Sequence, residues 1–233
     1  MPQNKASYVN RMFTAIAPRY DLLNSLLSFR QDQGWRKFTV AQCRLPSGGL
    51  VLDVCTGTGE VARELARNHK DSRIVGIDFN PDMLARAKAK LAPLAAGKRV
   101  HLMMGDGLRL PFRDNTFNCA TIGFALRNVT DVAAAFREMA RVVQPRGRVI
   151  SLELTRPTSP LVRAVYYVYL RRIAPFIGGI ISGKREAYTY LPDSILEFPP
   201  PEAVAAIMQS VGLQQVATYR LTLGSATVHV GIK

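Results

Sequence analysis

Gly57, Thr58 and Gly59 stand in a short loop directly after the apolar run Leu50–Val54. Glycine lets the backbone approach a ligand closely, and the helix predicted after the loop turns its positive N-terminus toward it. We therefore expect these three residues to contact a nucleotide-like cofactor. The loop alone leaves the cofactor open, because residues 57–62 also satisfy the G-x-G-x-x-A pattern of dinucleotide-binding proteins.

Three acidic residues at the ends of successive predicted strands narrow that choice. Asp53 is placed to anchor the amino-acid part of a cationic ligand, directly or through a water molecule, and would repel a pyrophosphate. Asp78 stands where a ribose-binding acid belongs, and Asp106 is placed to accept a hydrogen bond from an adenine amino group. Each residue alone also has a structural interpretation, such as a helix cap. Together they favour S-adenosylmethionine over a nicotinamide dinucleotide.

The predicted elements bring these strand ends together. Strands alternate with helices from residue 50 to residue 154, which indicates a parallel sheet covered on both faces. An antiparallel hairpin ends the pattern. We predict an α/β fold of the class I S-adenosylmethionine methyltransferase type, Rossmann-like, with a mostly parallel seven-stranded sheet and an antiparallel last strand. The predicted strands are 50–54, 73–78, 100–104, 118–124, 149–154, 214–221 and 226–232, and the predicted helices are 60–68, 81–91, 131–143 and 201–211.

The whole chain, 1–233, is predicted to form a single methyltransferase domain. Apolar residues at helical spacing indicate an N-terminal helical segment, 1–46, interrupted around Pro18. A turn is predicted at residues 145–148. Residues 155–200 hold six of the 14 prolines, and a structureless loop of that length is unusual inside a compact domain. We expect helices there, forming an insertion that covers the site or binds substrate.

The chain is strongly basic, with 31 Lys and Arg against 17 Asp and Glu and a formal net charge of +14. Such a charge favours an anionic partner: nucleic acid, a membrane surface or an acidic substrate. Residues 161–182 mix apolar and tyrosine side chains with arginine, which suits contact with a membrane surface, cover for an isoprenoid tail, or helix packing. The arginines make the segment too polar to span a membrane.

Three cysteines without metal-ligand spacing, and the lack of a secretory apolar segment after Met1, predict a reducing, cytoplasmic location. His69 and His101 have no ligand partners visible in the sequence, and the motifs need no metal, so no metal site is expected. The oligomeric state stays open, with a homodimer among the alternatives.

Three longer motifs resemble those of the ubiquinone/menaquinone biosynthesis C-methyltransferase family. They are Tyr20-Asp21-Leu22-Leu23-Asn24 with Ser28 and Trp35, the run 110–117, and Leu126-Arg127-Asn128-Val129-Thr130-Asp131. The similarity runs from about residue 8 to residue 233. In one departure from the family pattern, Arg30 and Asp32 stand where the family has Gly and His.

The resemblance implies S-adenosylmethionine-dependent methylation of a ring carbon on a polyprenylated quinol of menaquinone or ubiquinone biosynthesis, with S-adenosylhomocysteine as the second product. It places cofactor contacts at Thr58, Asp78, Asp106, Gly107 and Gly123. Independently of the resemblance, the basic and apolar composition of residues 161–182 leaves open a peripheral contact with the inner face of an anionic membrane.

Four residues are candidates for the chemistry. Arg127 is placed to stabilise phenolate charge, with Asn128 orienting the ring oxygen; alternatively, Arg127 forms a structural ion pair and Asn128 a turn. Tyr20 covers the cofactor or simply packs. His229 faces the substrate or is structural.

An RNA methyltransferase is the alternative function. Residues 123–128 lack an Asn-Pro-Pro-Tyr type tetrapeptide, and no RNA-binding module is visible, so no nucleic acid partner is expected.

Overall fold

The computed structural model describes residues 5–182 and 185–233, with side chains described outside 180–189. The strands are β1 (Leu50–Val54), β2 (Arg73–Asp78), β3 (Val100–Met104), β4 (Phe117–Gly123), β5 (Val143–Leu154), β6 (Gln214–Leu221) and β7 (Ala226–Ile232). They form one sheet in the order β3-β2-β1-β4-β5-β7-β6. The first five strands are parallel, and β7 runs antiparallel to β5 and β6. The predicted mostly parallel sheet with an antiparallel last strand is confirmed.

Helices cover both faces of this sheet. Their bounds are α1 (Lys5–Ile16), α2 (Tyr20–Leu27), α3 (Gln31–Ala41), α4 (Glu60–Asn68), α5 (Pro81–Leu91), α6 (Val132–Val142), α7 (Pro160–Val168), α8 (Ala174–Ser182), α9 (Arg185–Glu197) and α10 (Pro201–Ser210). A 3₁₀ turn containing Pro18 separates α1 from α2, as the interrupted pattern predicts. A π-helical turn, Tyr169–Ile173, joins α7 to α8.

Side-chain caps explain where two of the helices begin. The side chain of Asn80 accepts a hydrogen bond of 2.9 Å from the backbone N–H of Met83, and Pro81 occupies the first turn of α5. Asp131 caps α6 in the same way, at 2.9 Å from the N–H of Ala134. A cap of this kind contributes about 1 kcal/mol. The two caps fix the starts of α5 and α6 close to the carboxyl ends of β2 and β4.

The core divides by strand alternation, because successive side chains of a strand point to opposite faces. Leu52 and Val54 of β1 belong to the cluster that includes Phe136 and Met139 of α6. Val51 belongs to the cluster on the opposite face, with side chains of α3 and α4. Both faces of β1 are thus buried, which holds its C-terminal end rigidly beneath the glycine loop.

The sheet order reverses direction at β1, which pairs with β2 on one side and β4 on the other. The loops that follow β1 and β4 therefore separate at their carboxyl ends and leave a crevice. Ligands of open α/β sheets bind in this crevice.

The predicted turn at 145–148 is wrong, because these residues belong to β5. The backbone N–H of Arg146 donates to the carbonyl of Lys233, and the N–H of Lys233 donates to the carbonyl of Gly147. Pairing with the C-terminal residue extends β5 back to the end of α6. The helices expected between 155 and 200 are confirmed as α7 to α9, and their covering role stays a prediction.

Candidate active site

The glycine loop turns through two left-handed backbone positions. Gly57 has φ +55° and Gly59 has φ +79°, a region that strains any residue with a side chain. A Cβ on Gly59 would lie 3.1 Å from the Cβ of Ala87 in α5. The backbone N–H of Gly57 donates to Oδ2 of Asp78 at 2.8 Å. The two glycines therefore let the loop pack on α5 while one of its N–H groups contacts the acid at the end of β2.

A cavity of about 280 Å³ opens above this loop. The predicted cofactor residues that line it are Gly57, Asp78, Asp106, Gly107 and Gly123. Apolar side chains of α1 and of the start of α5 line another part of it. A Cβ on Gly107 would lie 3.0 Å from Cγ1 of Val54 in β1, and one on Gly123 would lie 3.1 Å from Cγ2 of Val61 in α4. The space thus has acidic groups on one wall and depends on glycine at its narrow points.

Asp53, Thr58 and Gly59 do not line this cavity. The buried carboxylate of Asp53 accepts hydrogen bonds from Oγ1 of Thr56 at 2.6 Å and Oγ1 of Thr121 at 2.8 Å. Oγ1 of Thr58 donates to Asp21 of α2 at 2.5 Å. Asp53 therefore does not itself line the cavity, and its contact with the amino-acid part of the ligand, direct or through a water molecule, stays a prediction.

The carboxylates give the cavity a negative potential. Burial raises the pKa of the Cys55 thiol well above its usual range, and the charges of Asp78, Asp53 and Asp106 raise it further. Burial also raises the pKa of Asp53 to about 6 and that of Asp78 above its ordinary value. A sulfonium or ammonium group is stabilised in such surroundings, and a pyrophosphate is repelled. The residues therefore fit S-adenosylmethionine and disfavour the dinucleotide alternative.

A second, larger cavity of about 980 Å³ adjoins the first. Its walls are mainly apolar side chains from α2, α3, α7 and the π-helical turn. Tyr20 and Phe124 line both cavities, so these two residues mark the junction. The molecule therefore offers a nucleoside-sized site and a much larger apolar site that meet at two aromatic rings.

Arg127 lines the larger cavity near this junction. Its Nη1 donates to Oε1 of Glu153 at 2.5 Å and to the carbonyl of Phe124 at 2.7 Å. Its Nε is buried and has no hydrogen-bond partner within the described chain. The structural ion pair that was one interpretation of Arg127 is present, and the guanidinium also lines the cavity. Both interpretations of this residue are therefore compatible.

Asn128 lines the smaller cavity, next to the junction that Tyr20 marks. Oδ1 of Asn128 accepts a hydrogen bond of 3.2 Å from the hydroxyl of Tyr190, and both Asn128 and Tyr20 line the smaller cavity. Burial raises the pKa of the Tyr20 hydroxyl, and the neighbouring charge of Arg127 partly opposes that shift. Tyr20 is thus neutral at ordinary pH. Its ring also packs edge-on against Phe13 at 5.7 Å between centroids, so the packing interpretation of Tyr20 holds and its covering role stays a prediction.

His229 does not face either cavity, contrary to the expectation that it points at the substrate. It is 1% exposed, its Nε2 lies 2.9 Å from the carbonyl of Pro201, and its Nδ1 lies 3.4 Å from Oγ of Ser151. Burial lowers its pKa to about 4, so the ring is neutral. Because β7 turns this side chain under α10, its role is structural.

Two parts of the site were not predicted from the sequence. Glu153 holds Arg127, and its position at the end of a strand follows the same pattern as Asp53 and Asp78, so this pattern could have indicated it. Helix α1 forms the roof of the smaller cavity through Val9 and Phe13. Nζ of Lys5 holds that helix against the segment after β4, because it donates to the carbonyls of Arg127 at 3.1 Å and of Val129 at 2.9 Å. No local pattern indicates such a long-range contact.

In residues 5–182 and 185–233, no group of three or more His, Cys, Asp or Glu is placed to hold a metal ion. None of the described helices is long and apolar enough to cross a membrane.

The sheet order, the glycine loop and the acid-lined crevice define a class I S-adenosylmethionine-dependent methyltransferase. A solved S-adenosylmethionine-dependent methyltransferase from Aquifex aeolicus has the same fold, with a TM-score of 0.58, 17% sequence identity, and coverage of 84% of this chain and 88% of that chain. The prediction of the fold class is confirmed.

The chain belongs to the ubiE/COQ5 methyltransferase family, whose model matches residues 1–233. A protein named demethylmenaquinone methyltransferase from Roseiflexus castenholzii is 47% identical over 233 residues, covering 100% of this chain and 96% of the relative. A ubiquinone/menaquinone biosynthesis C-methyltransferase from Geotalea uraniireducens is 44% identical, covering 98% of this chain and 97% of the relative. The resemblance drawn from the motifs is confirmed, and so is the predicted enzyme class.

Proposed function

We propose that this enzyme transfers the methyl group of S-adenosylmethionine to a ring carbon of a polyprenylated quinol. The acceptor is demethylmenaquinol, which becomes menaquinol, or the corresponding benzoquinol of ubiquinone biosynthesis. The observation that carries the proposal is the junction of the two cavities at Tyr20 and Phe124. A ring bound there presents a carbon to the cofactor while its tail lies in the larger cavity. The names of the relatives support the same acceptors.

The larger cavity suits an isoprenoid tail. Apolar side chains such as Leu170, Val165 and Ile173 line it, and its volume of about 980 Å³ lies at the upper end for small-molecule sites. Each CH₂ group transferred from water into such surroundings contributes about 0.8 kcal/mol. A long prenyl chain thus supplies binding energy without any polar contact, while the few polar groups at the junction orient the ring.

The chain's own residues act on the ring. Bound S-adenosylmethionine supplies an electrophilic methyl group. The accepting carbon becomes more nucleophilic as the neighbouring hydroxyl gives its proton to water, and the guanidinium of Arg127 stabilises the phenolate oxygen. After methyl transfer the accepting carbon releases its hydrogen as a proton to water, which restores the aromatic ring. Asn128 orients that oxygen beside the cofactor cavity. Holding the carbon in line with the methyl group accounts for much of the rate enhancement. The proposed reaction needs no metal ion, because these side chains supply the positioning and the charge stabilisation.

We further propose a peripheral contact with an anionic membrane at the mouth of the larger cavity. Leu161, Phe29 and Leu223 line that cavity and are 77%, 74% and 74% exposed. The neighbouring Arg163 and Arg172 are exposed as well. Basic residues near an anionic surface contribute about 1 kcal/mol each. The contact predicts sedimentation with phosphatidylglycerol vesicles that falls with Leu161→Glu, and equal sedimentation of both proteins would contradict it.

A labelling experiment tests the acceptor. The enzyme is incubated anaerobically with methyl-labelled S-adenosylmethionine and either a dithionite-reduced demethylmenaquinone of short tail or total RNA. We expect label in the lipid fraction, on a ring carbon, and none in RNA. Label in RNA but not in lipid would overturn the proposal in favour of an RNA methyltransferase. Arg127→Ala serves as the mechanistic variant and should abolish turnover while cofactor affinity stays near wild type.

A further inference from the structure

The larger cavity contains a second buried guanidinium besides Arg127. Arg36 of α3 is 6% exposed and lines the cavity together with Asp32, which is 4% exposed. Nη1 of Arg36 donates to Oδ2 of Asp32 at 2.5 Å, and Oγ of Ser28 donates to Oδ1 at 2.9 Å. Both carboxylate oxygens are therefore engaged, and Arg36 is held from one side.

Phe124 connects the two guanidinium groups. The Cζ atom of Arg36 lies 5.4 Å from the centroid of the Phe124 ring, and Nη1 of Arg127 donates to the Phe124 carbonyl at 2.7 Å. Both cations also act on the hydroxyl of Tyr20, because their charges oppose the rise that burial causes in its pKa. The two arginines thus flank the junction at which the proposed function places the ring.

A buried ion pair such as that of Asp32 and Arg36 is weak evidence for a purely stabilising role. A buried pair gains little over apolar side chains of the same volume, since both charges lose their hydration. Within the part of the chain that the structure describes, Asp32 accepts the one hydrogen bond that the Arg36 guanidinium makes. Arginine has further N–H donors in a fixed fork, and here they remain for a ligand in the cavity.

We propose that Arg36, positioned by Asp32 and Ser28, binds the second ring oxygen of the quinol, para to the oxygen held by Arg127. This inference rests on the proposed function. Arg127 precedes Asn128, which lines the cofactor cavity, so Arg127 takes the oxygen next to the accepting carbon. Arg36 lines only the larger cavity and takes the opposite oxygen. It is therefore a specificity-determining residue that favours para-dihydroxy rings over monohydroxy rings.

Two acceptors test this assignment under anaerobic, reducing conditions. One is a prenylated 1,4-dihydroxynaphthalene, and the other keeps the hydroxyl next to the accepting carbon but lacks the one para to it. We compare kcat/KM for both acceptors in wild type, Arg36→Gln and Arg148→Gln. Arg148 is a matched control because its Nη1 donates to the carbonyl of Gln42, just after α3, and it lies away from both cavities.

Wild type should prefer the dihydroxy acceptor. Arg36→Gln should lower kcat/KM for that acceptor by about tenfold to a hundredfold, mainly through KM, as expected for loss of a charged hydrogen bond. It should change the monohydroxy acceptor by less than about threefold, and Arg148→Gln should leave the preference intact. The double variant Asp32→Asn/Arg36→Gln removes both charges, so it avoids an unpaired buried carboxylate and should show the same lost preference.

An equal loss for both acceptors in Arg36→Gln and in the double variant would overturn the inference, since a structural role affects both rings alike. An unchanged preference would overturn it as well. If wild type binds S-adenosylmethionine but methylates neither ring, the proposed function fails. If wild type methylates both rings and Arg36→Gln does not change its preference, only the role of Arg36 fails.

Discussion

Arg127 and Glu153 form a buried ion pair that joins the segment after β4 to the end of β5. Nη1 of Arg127 lies 2.5 Å from Oε1 of Glu153, and the backbone N–H of Arg127 donates to Oε2 at 3.2 Å. Oε1 also accepts from the N–H of Leu154 at 2.9 Å. Glu153 thus holds both the backbone and the side chain of Arg127. We regard it as a positioning residue for the guanidinium that stabilises the phenolate.

Glu153→Gln should lower kcat by at least about tenfold and leave the Kd for S-adenosylmethionine within about twofold, because Glu153 lies outside the cofactor cavity. Steady-state kinetics and titration calorimetry measure the two quantities. Breaking one side of a buried pair costs about 3–5 kcal/mol of stability. Arg127→Gln/Glu153→Gln should recover stability without recovering kcat. Recovery of both would show that the pair serves only folding.

Asp78→Asn should weaken cofactor binding by at least about tenfold. The Asp78 carboxylate accepts from the N–H of Gly57 at 2.8 Å and from the N–H of Asn80 at 2.9 Å. An asparagine turns its amide donors toward one of these N–H groups, which disturbs the loop and removes the acid proposed for the ribose. Titration calorimetry measures the Kd, with the exposed Asp114→Asn as the control. Unchanged affinity would contradict the cofactor assignment.

Asn80→Asp should speed cofactor release by loosening the roof. Nδ2 of Asn80 donates to Oδ1 of Asn10 at 2.6 Å and to Oγ1 of Thr14 at 2.9 Å, both on α1. Aspartate keeps the cap of α5 but loses these donors, so α1 is held less firmly over the cavity. Stopped-flow displacement of S-adenosylhomocysteine should show a koff raised about tenfold. Asp131→Asn, the reciprocal change at the cap of α6, should leave koff unaltered.

The buried His229 predicts acid sensitivity of the fold. Its pKa is about 4 in the folded chain, below the ordinary 6.5, because burial disfavours the charged ring. A depressed pKa contributes stability that is fully present above pH 6.5 and is lost as pH falls toward 4. The linked change is about 3 kcal/mol over that window.

Urea unfolding of wild type and His229→Gln between pH 7.5 and pH 4 measures this contribution. Glutamine retains a donor for the carbonyl of Pro201 and does not titrate, so the difference in unfolding free energy should shift in favour of the variant as pH falls. A difference independent of pH would contradict the buried, neutral state of His229. Methyl transfer at neutral pH should survive the substitution, since this ring lines neither cavity.

Local patterns were enough to place most of the secondary structure. The helix Glu60–Asn68 and the strand Arg73–Asp78 have the predicted bounds, because apolar periodicity and burial agree along both. The error at residues 145–148 has a different origin. Arg146 and Gly147 look like a turn by composition, but their backbone groups pair with Lys233 at the far end of the chain. Pairing over such a separation leaves no trace in a short window.

The sequence by itself determined the individual strands, the glycine loop and the acids at the strand ends, because each depends on neighbours within a few residues. It also determined the family, through motifs that include Arg127 and Asn128. Only the tertiary structure decided which of these groups line a cavity. It left Asp53 and His229 outside the lining of both cavities, and it brought Glu153 to Arg127 and Arg36 to Phe124. These outcomes depend on strand register and on helix packing between segments far apart in the chain.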